Sequence, residues 1–223
     1  MRKVTETALR LLVRRCPRLV RSCYWAGTSS IAVEELRHRQ SFDIDFHTRR
    51  ALFDVRPLLA EMRAAFPGKF EVIQSPDDFG SGFRGVLALP GGNSITVEVM
   101  ANYEDVPAAD LTSSTTAPSI RRVTLRRYLA DKIQCVAERT EARDLVDIEA
   151  VLKAHPEFER EARTLVGQQD ALILAERLTS WSDEAIEADL RSYEGVDPQL
   201  ARHSRDRLLH WLRGRRARKG RHE

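Results

Sequence analysis

Five residues, Phe42-Asp43-Ile44-Asp45-Phe46, constrain this chain more than any other stretch of it. In a β-strand successive side chains alternate faces, so the run reads as a strand with Phe42, Ile44 and Phe46 turned to a core and Asp43 and Asp45 on the opposite side. At a rise of about 3.3 Å per residue the two aspartates stand about 6–7 Å apart. Carboxylates so placed can converge on a hard divalent cation, which takes oxygen ligands and fills its remaining positions with water or phosphate. The same acid-x-acid spacing recurs at Glu157/Glu159/Glu161 and at Glu187/Asp189, but those segments read as solvated helices. The aspartate pair therefore draws its weight from its neighbours.

Upstream stands Trp25-Ala26-Gly27-Thr28-Ser29-Ser30, followed by the apolar-rich Ile31 to Leu36. This reads as a short helix capped by Thr28, Ser29 or Ser30, with Gly27 permitting a tight turn. The free N–H groups at such a helix start attract phosphate oxygens. Downstream, Ser94 to Met100 alternates so that Ile95, Val97 and Val99 face a core and Glu98 faces away. The turn signal Pro90-Gly91-Gly92-Asn93 joins that strand to Val86-Leu87-Ala88-Leu89 as a hairpin. Glu98 is then a third carboxylate, placed where a phosphoryl-transfer site needs an oxygen ligand near the attacking hydroxyl.

Leu125, Tyr128, Leu129, Lys132 and Val136 fall on or beside one helical face, which sets the Lys132 amine against packed protein. If the helix runs on, Arg139 and Arg143 continue the same line; the Lys132 stem then either snorkels along the apolar stripe or, in a phosphate site, the three cations meet a triphosphate. Asp144 and Asp147, at i and i+3, share a face and either touch the nucleotide or hold Lys132 and Arg139 in ion pairs.

With these residues in view, the chain resembles the AbiEii/AbiGii-type nucleotidyltransferase toxin family of bacteria, within the polymerase-β-like superfamily. The resemblance rests on Gly27-Thr28-Ser29, on His38-Arg39-Gln40-Ser41-Phe42-Asp43-Ile44-Asp45-Phe46, on Glu98 and Lys132, and on Arg143-Asp144-Leu145-Val146-Asp147-Ile148. Two departures stand out. The family's Gly-Gly-Thr is here Ala26-Gly27-Thr28, and its Arg-Asp-Leu-Tyr-Asp has Val146 in place of the tyrosine. The resemblance implies an α/β (α+β) fold, with a short mixed sheet in residues 1–112 and a helical domain with a basic tail in 113–223. It implies a metal-dependent transfer of NMP from an NTP to RNA, a tRNA end being one candidate acceptor, with a cognate antitoxin as partner. Asp43, Asp45 and Glu98 would hold Mg²⁺, or Mn²⁺ as second candidate. Gly27, Thr28, Ser29, Ser30, Arg39, Ser41, Lys132, Arg143 and Asp147 would hold the nucleotide, and Asp43, Asp45, Glu98 and Lys132 would be the catalytic set. Two other readings share the Asp-x-Asp strand: a small-molecule, antibiotic-type nucleotidyltransferase, and a catalytically degenerate RNA-binding protein of the same fold.

The remaining sequence sets the frame. No apolar run approaches the roughly 20 residues that cross a bilayer, and the N-terminus shows no signal-peptide core. Cys16, Cys23 and Cys135 show neither metal spacing nor pairing, which suits a reducing, cytoplasmic setting. Residues 1 to about 20 read as an amphipathic helix ending at Pro17, and Phe53 to Phe66 as a crossover helix before the strand Phe70 to Ile73. Asp110 to Ser119 has the composition of a linker or lid. Beyond it the chain reads as helical, with breaks at His155-Pro156 and Gly195 to Pro198. Arg213, Arg215, Arg216, Arg218, Lys219 and Arg221 concentrate positive charge in the tail, which suits either a polyanion or a solvated extension.

Overall fold

The computed structural model describes residues 2–139, 141–193 and 195–219, with side chains as far as Arg213. The chain forms two compact units that divide at Thr124/Leu125. In the first, α1 (Arg2–Arg15) and α2 (Pro17–Ser22) lead into β1 (Cys23–Ala26), α3 (Gly27–Glu34), β2 (Asp43–Ala51) and α4 (Arg56–Ala65). There follow β3 (Phe70–Gln74), β4 (Gly82–Ala88), β5 (Ser94–Asn102), β6 (Leu111–Ser113) and β7 (Arg121–Val123). A proline disfavours helical geometry in the residue before it, so Cys16 leaves the helix and Pro17 opens the next one.

The described strands form one mixed sheet in the order β3-β4-β5-β2-β1-β7-β6. At its centre β2 runs parallel to β5 and antiparallel to β1. Both central strands alternate as their sequences dictate: Ile44 and Phe46 of β2 and Ile95, Val97 and Val99 of β5 are buried. These side chains form one core with Ala8, Leu9 and Leu12 of α1, Leu19 of α2, and Leu58 and Met62 of α4. The face bearing Asp43, Asp45 and Glu98 is the other one.

Three expectations change. Phe42 is 47% exposed, because β2 begins at Asp43 and the residue before it is no longer held by the pleat. Asp110 to Ser119 is not a linker: Leu111 to Ser113 pairs with Arg121 to Val123, and β7 pairs with β1. The boundary between units accordingly falls after Thr124 instead of after residue 112. The third concerns α3, whose N-cap is Ala26 with no side-chain cap, because the hydroxyls of Thr28, Ser29 and Ser30 lie inside the helix.

The second unit is helical: α5 (Leu125–Glu138), α6 (Ala142–Ala154), α7 (Glu159–Gln168), α8 (Ala171–Ser180), α9 (Asp183–Leu190) and α10 (Pro198–Lys219). Two helix starts absent from the sequence reading are made by side chains. Asp170 accepts the N–H groups of Leu172 (2.9 Å) and Ile173 (3.1 Å), and Ser182 accepts that of Ala185 (3.2 Å). The gap between α5 and α6 breaks the helical line drawn from Lys132 to Arg143. Trp211 and Leu212 are buried in α10, so the indole is packed against protein. Of the basic tail, Gly220, Arg221, His222 and Glu223 lie outside the described residues, as do the side chains from residue 214 onward.

Candidate active site

The first unit brings the predicted carboxylates together by register. Asp45 pairs directly with Glu98 across β2 and β5, and Asp43 with Thr96. Neighbouring strands lie about 4.8 Å apart and paired residues share a face, so Asp43, Asp45 and Glu98 crowd one patch of the sheet. Among the described residues no three His, Cys, Asp or Glu side chains converge into a ready-made metal cage. The donor set nonetheless fits Mg²⁺, which is commonly held by one or two carboxylates with water and substrate phosphate completing its octahedron.

The glycine turn meets the same patch. Gly27 begins α3 with φ +66°, a backbone conformation that side-chain-bearing residues avoid. A Cβ there would stand 1.9 Å from Asp45 Oδ2, so the absent side chain is the space that the carboxylate occupies. The start of α3, with its outward N–H groups, is thereby set against the strand that carries Asp43 and Asp45. Arg39 closes the turn from the other side, its Nη2 donating to Thr28 Oγ1 at 2.7 Å.

Other predicted turn residues are engaged within the protein. The Ser41 hydroxyl donates to Asp43 Oδ1 at 2.5 Å and orients that carboxylate. Ser29 Oγ accepts the Trp25 indole N–H (2.9 Å), and Ser30 Oγ donates to the Gly27 carbonyl (2.8 Å). Both serines are fully buried. Their hydroxyls brace the turn from within the protein.

One cation on this face escaped the sequence reading. Arg84 of β4 pairs in register with Glu98, is exposed, and makes no ion pair among the described residues. The signal was present in the hairpin, since extending β4 back from Val86 to Gly82 places Arg84 opposite Glu98.

Lys132, Asp144 and Asp147 form a separate group in the helical unit. Lys132 Nζ lies 2.8 Å from Asp144 Oδ1 and 2.8 Å from Asp147 Oδ2, both carboxylates being wholly buried. Arg139 binds Asp144 with Nε at 2.9 Å and Nη2 at 3.0 Å. Arg143 instead pairs with Glu141 (2.7 Å) and lies over the Tyr193 ring. Burial works against the charged form of Arg139, but the Asp144 carboxylate outweighs it and raises the guanidinium above its usual value. Three cations and three carboxylates thus neutralise one another, so Lys132 and Arg143 are not the open cations that a triphosphate clamp calls for.

Two solved structures share the fold over nearly the whole chain. Protein JHP933 from Helicobacter pylori is 18% identical, with a TM-score of 0.53, covering 96% of this chain and 93% of its own. MenT4, a nucleotidyltransferase toxin from Mycobacterium tuberculosis, is 16% identical, with a TM-score of 0.53, covering 95% of this chain and 83% of its own. At such identities the likeness is one of fold, and the fold is that of a nucleotidyltransferase. Among curated proteins none matches the sequence. The family is more specific: residues 27–213 match the nucleotidyl transferase AbiEii toxins of type IV toxin–antitoxin systems, and the chain belongs to that family. Membership implies an antitoxin as partner. Among the described residues no helix is long and apolar enough to cross a membrane.

Proposed function

We propose that this toxin-family nucleotidyltransferase moves NMP from an NTP to an RNA hydroxyl in a reaction that needs a divalent cation. The observation that carries the reading is the register that sets Asp45 beside Glu98 and against Gly27 at the start of α3. Asp43 and Asp45 would hold Mg²⁺, which when bound supplies positive charge to phosphate oxygens. The α3 start and Arg39 would bind the triphosphate. Glu98 would accept the proton of the attacking hydroxyl as its oxygen bonds the α-phosphorus. The bond from that phosphorus to the bridging oxygen breaks, and pyrophosphate leaves. Little covalent chemistry is asked of the protein, because positioning and charge supply most of the rate in such transfers. The antitoxin encoded with such a protein would oppose this activity.

Incubation with each labelled NTP, Mg²⁺ and total RNA should place label on RNA. Asp43→Asn should lower that transfer by several orders of magnitude with an unchanged urea midpoint, because Asp43 lies on the solvated face of the sheet. Near-normal labelling by the Asp43→Asn protein would refute the assignment. Label found only on small molecules would move the acceptor to the antibiotic-type class.

A further inference from the structure

Helices α1 and α2 precede the segment that matches the family, and they carry a charge pattern of their own. Residues 2–22 hold seven cations (Arg2, Lys3, Arg10, Arg14, Arg15, Arg18 and Arg21) and one carboxylate, Glu6, for a net charge of +6. The whole chain is only +3, so everything outside these two helices nets −3, the basic C-terminal run included. The excess is also ordered. At 100° per residue Lys3, Arg10 and Arg14 fall within about 40° of one line, opposite the side on which Ala8, Leu9 and Leu12 are buried. Arg18 and Arg21 extend the exposed charge along α2.

These five cations make no ion pair among the described residues. Arg2 is held by Glu6 at 2.8 Å, and Arg15 donates to the Ala65 carbonyl and covers the Phe66 ring. The nearby Glu61 is committed to the backbone N–H groups of Arg18 (2.8 Å) and Leu19 (2.9 Å) at the start of α2. From Lys3 to Arg14 the line spans about 16 Å at 1.5 Å per residue, room for several phosphates of one strand.

We propose that this face of α1 and α2 binds the phosphate backbone of RNA. The inference deepens the RNA-acceptor reading and rests on it. A protein partner would need an apolar anchor to desolvate, and a bilayer would need an apolar face to receive. Pro17 is the sole apolar residue among the exposed positions of 2–22, and the apolar side of α1 is spent on the core. A polyanion needs only the cations. Because α1 covers the sheet face opposite Asp43, Asp45 and Glu98, a helix layer about 10–12 Å thick and the sheet itself separate stripe from carboxylates. An RNA that engages both must be folded and long enough to pass round the unit. Short oligonucleotide acceptors would use the carboxylate face alone.

The test compares Lys3→Gln/Arg10→Gln/Arg14→Gln with a matched control, Lys153→Gln/Arg160→Gln/Arg163→Gln, which removes three exposed cations from the helical unit. Binding of fluorescently labelled bulk tRNA is followed against salt, without NTP. The stripe variant should show a log–log slope shallower by about 2–3, from three lost contacts at roughly 0.7–0.9 each. The control should keep the wild-type slope, and labelling of a short oligouridylate by the stripe variant should stay at the wild-type rate. Equal slopes for stripe variant and wild type overturn the proposal, as do equal losses in both triple variants, which mean diffuse charge. Unchanged tRNA binding with lost binding to phosphatidylglycerol vesicles overturns it in favour of a membrane surface. The Asp43→Asn protein separates this inference from the catalytic reading: it should fail in transfer and still bind tRNA with the wild-type slope.

Discussion

Gly27 is the residue on which the candidate site turns. Its φ of +66° and the 1.9 Å approach of a would-be Cβ to Asp45 Oδ2 are independent demands for the absence of a side chain. Gly27→Ala therefore has to displace the Asp45 carboxylate as well as strain the backbone. The expected result is a loss of more than about 1 kcal/mol in urea denaturation, since alanine at positive φ costs more than its entropic gain returns, together with a collapse of NMP transfer. A variant that keeps both stability and transfer would show that Asp45 has another position open to it. Arg84 shows the converse, a residue whose importance lies in its neighbour: it is ordinary in sequence and stands beside Glu98 only through strand pairing.

At the scale of elements, α5 and α6 are joined by buried charge. Lys132 is the shared counter-ion of Asp144 and Asp147, and neither aspartate reaches solvent. Removing one member of a buried ion pair costs about 3–5 kcal/mol, because the partner is left charged and dry. Lys132→Met should lower the free energy of urea unfolding by that amount, and Lys132→Met/Asp147→Asn should recover part of it. A Lys132→Met protein with wild-type stability and weakened NTP binding would instead return Lys132 to the nucleotide. The element-level lesson is that the i, i+3 spacing of Asp144 and Asp147 gave their common face correctly, while the break after Glu138 removed Arg143 from the line.

Across the molecule, Glu34 ties α3 to the far edge of the sheet. Burial works to raise its carboxyl, but the Ser114 hydroxyl, the Thr115 and Thr116 N–H groups and Arg122 together hold it below the usual carboxylate value. A carboxyl lowered in the native state stabilises the fold above its unfolded value, about 4.3, and that contribution is lost as pH falls through the lower native value. Glu34→Gln should thus be less stable than wild type at neutral pH, with the gap between their urea midpoints closing below about pH 4. A gap that stays constant with pH would mean that shape, and not charge, is what Glu34 supplies. The thiols complement this picture: burial pushes Cys16 and Cys23 up to about 12, so neither is a nucleophile near neutrality.

Local periodicity was enough for much of this. Alternation fixed which faces Ile44, Phe46 and Val97 share, and therefore which face Asp43, Asp45 and Glu98 share, because a strand has only two sides. Pro17 ended α1 for a reason confined to neighbouring residues. What periodicity could not supply was pairing. That Asp45 meets Glu98, that Arg84 stands next to it, and that Ser114 to Thr116 close on Glu34 all depend on strand register and on residues more than ten positions apart. The fate of Lys132 was of the same kind: a lysine at the edge of an apolar stripe serves equally well for phosphate or for a buried carboxylate. Only the packing of α6 against α5 brings Asp144 and Asp147 to within 2.8 Å of its amine, a meeting that neither helix's own periodicity contains.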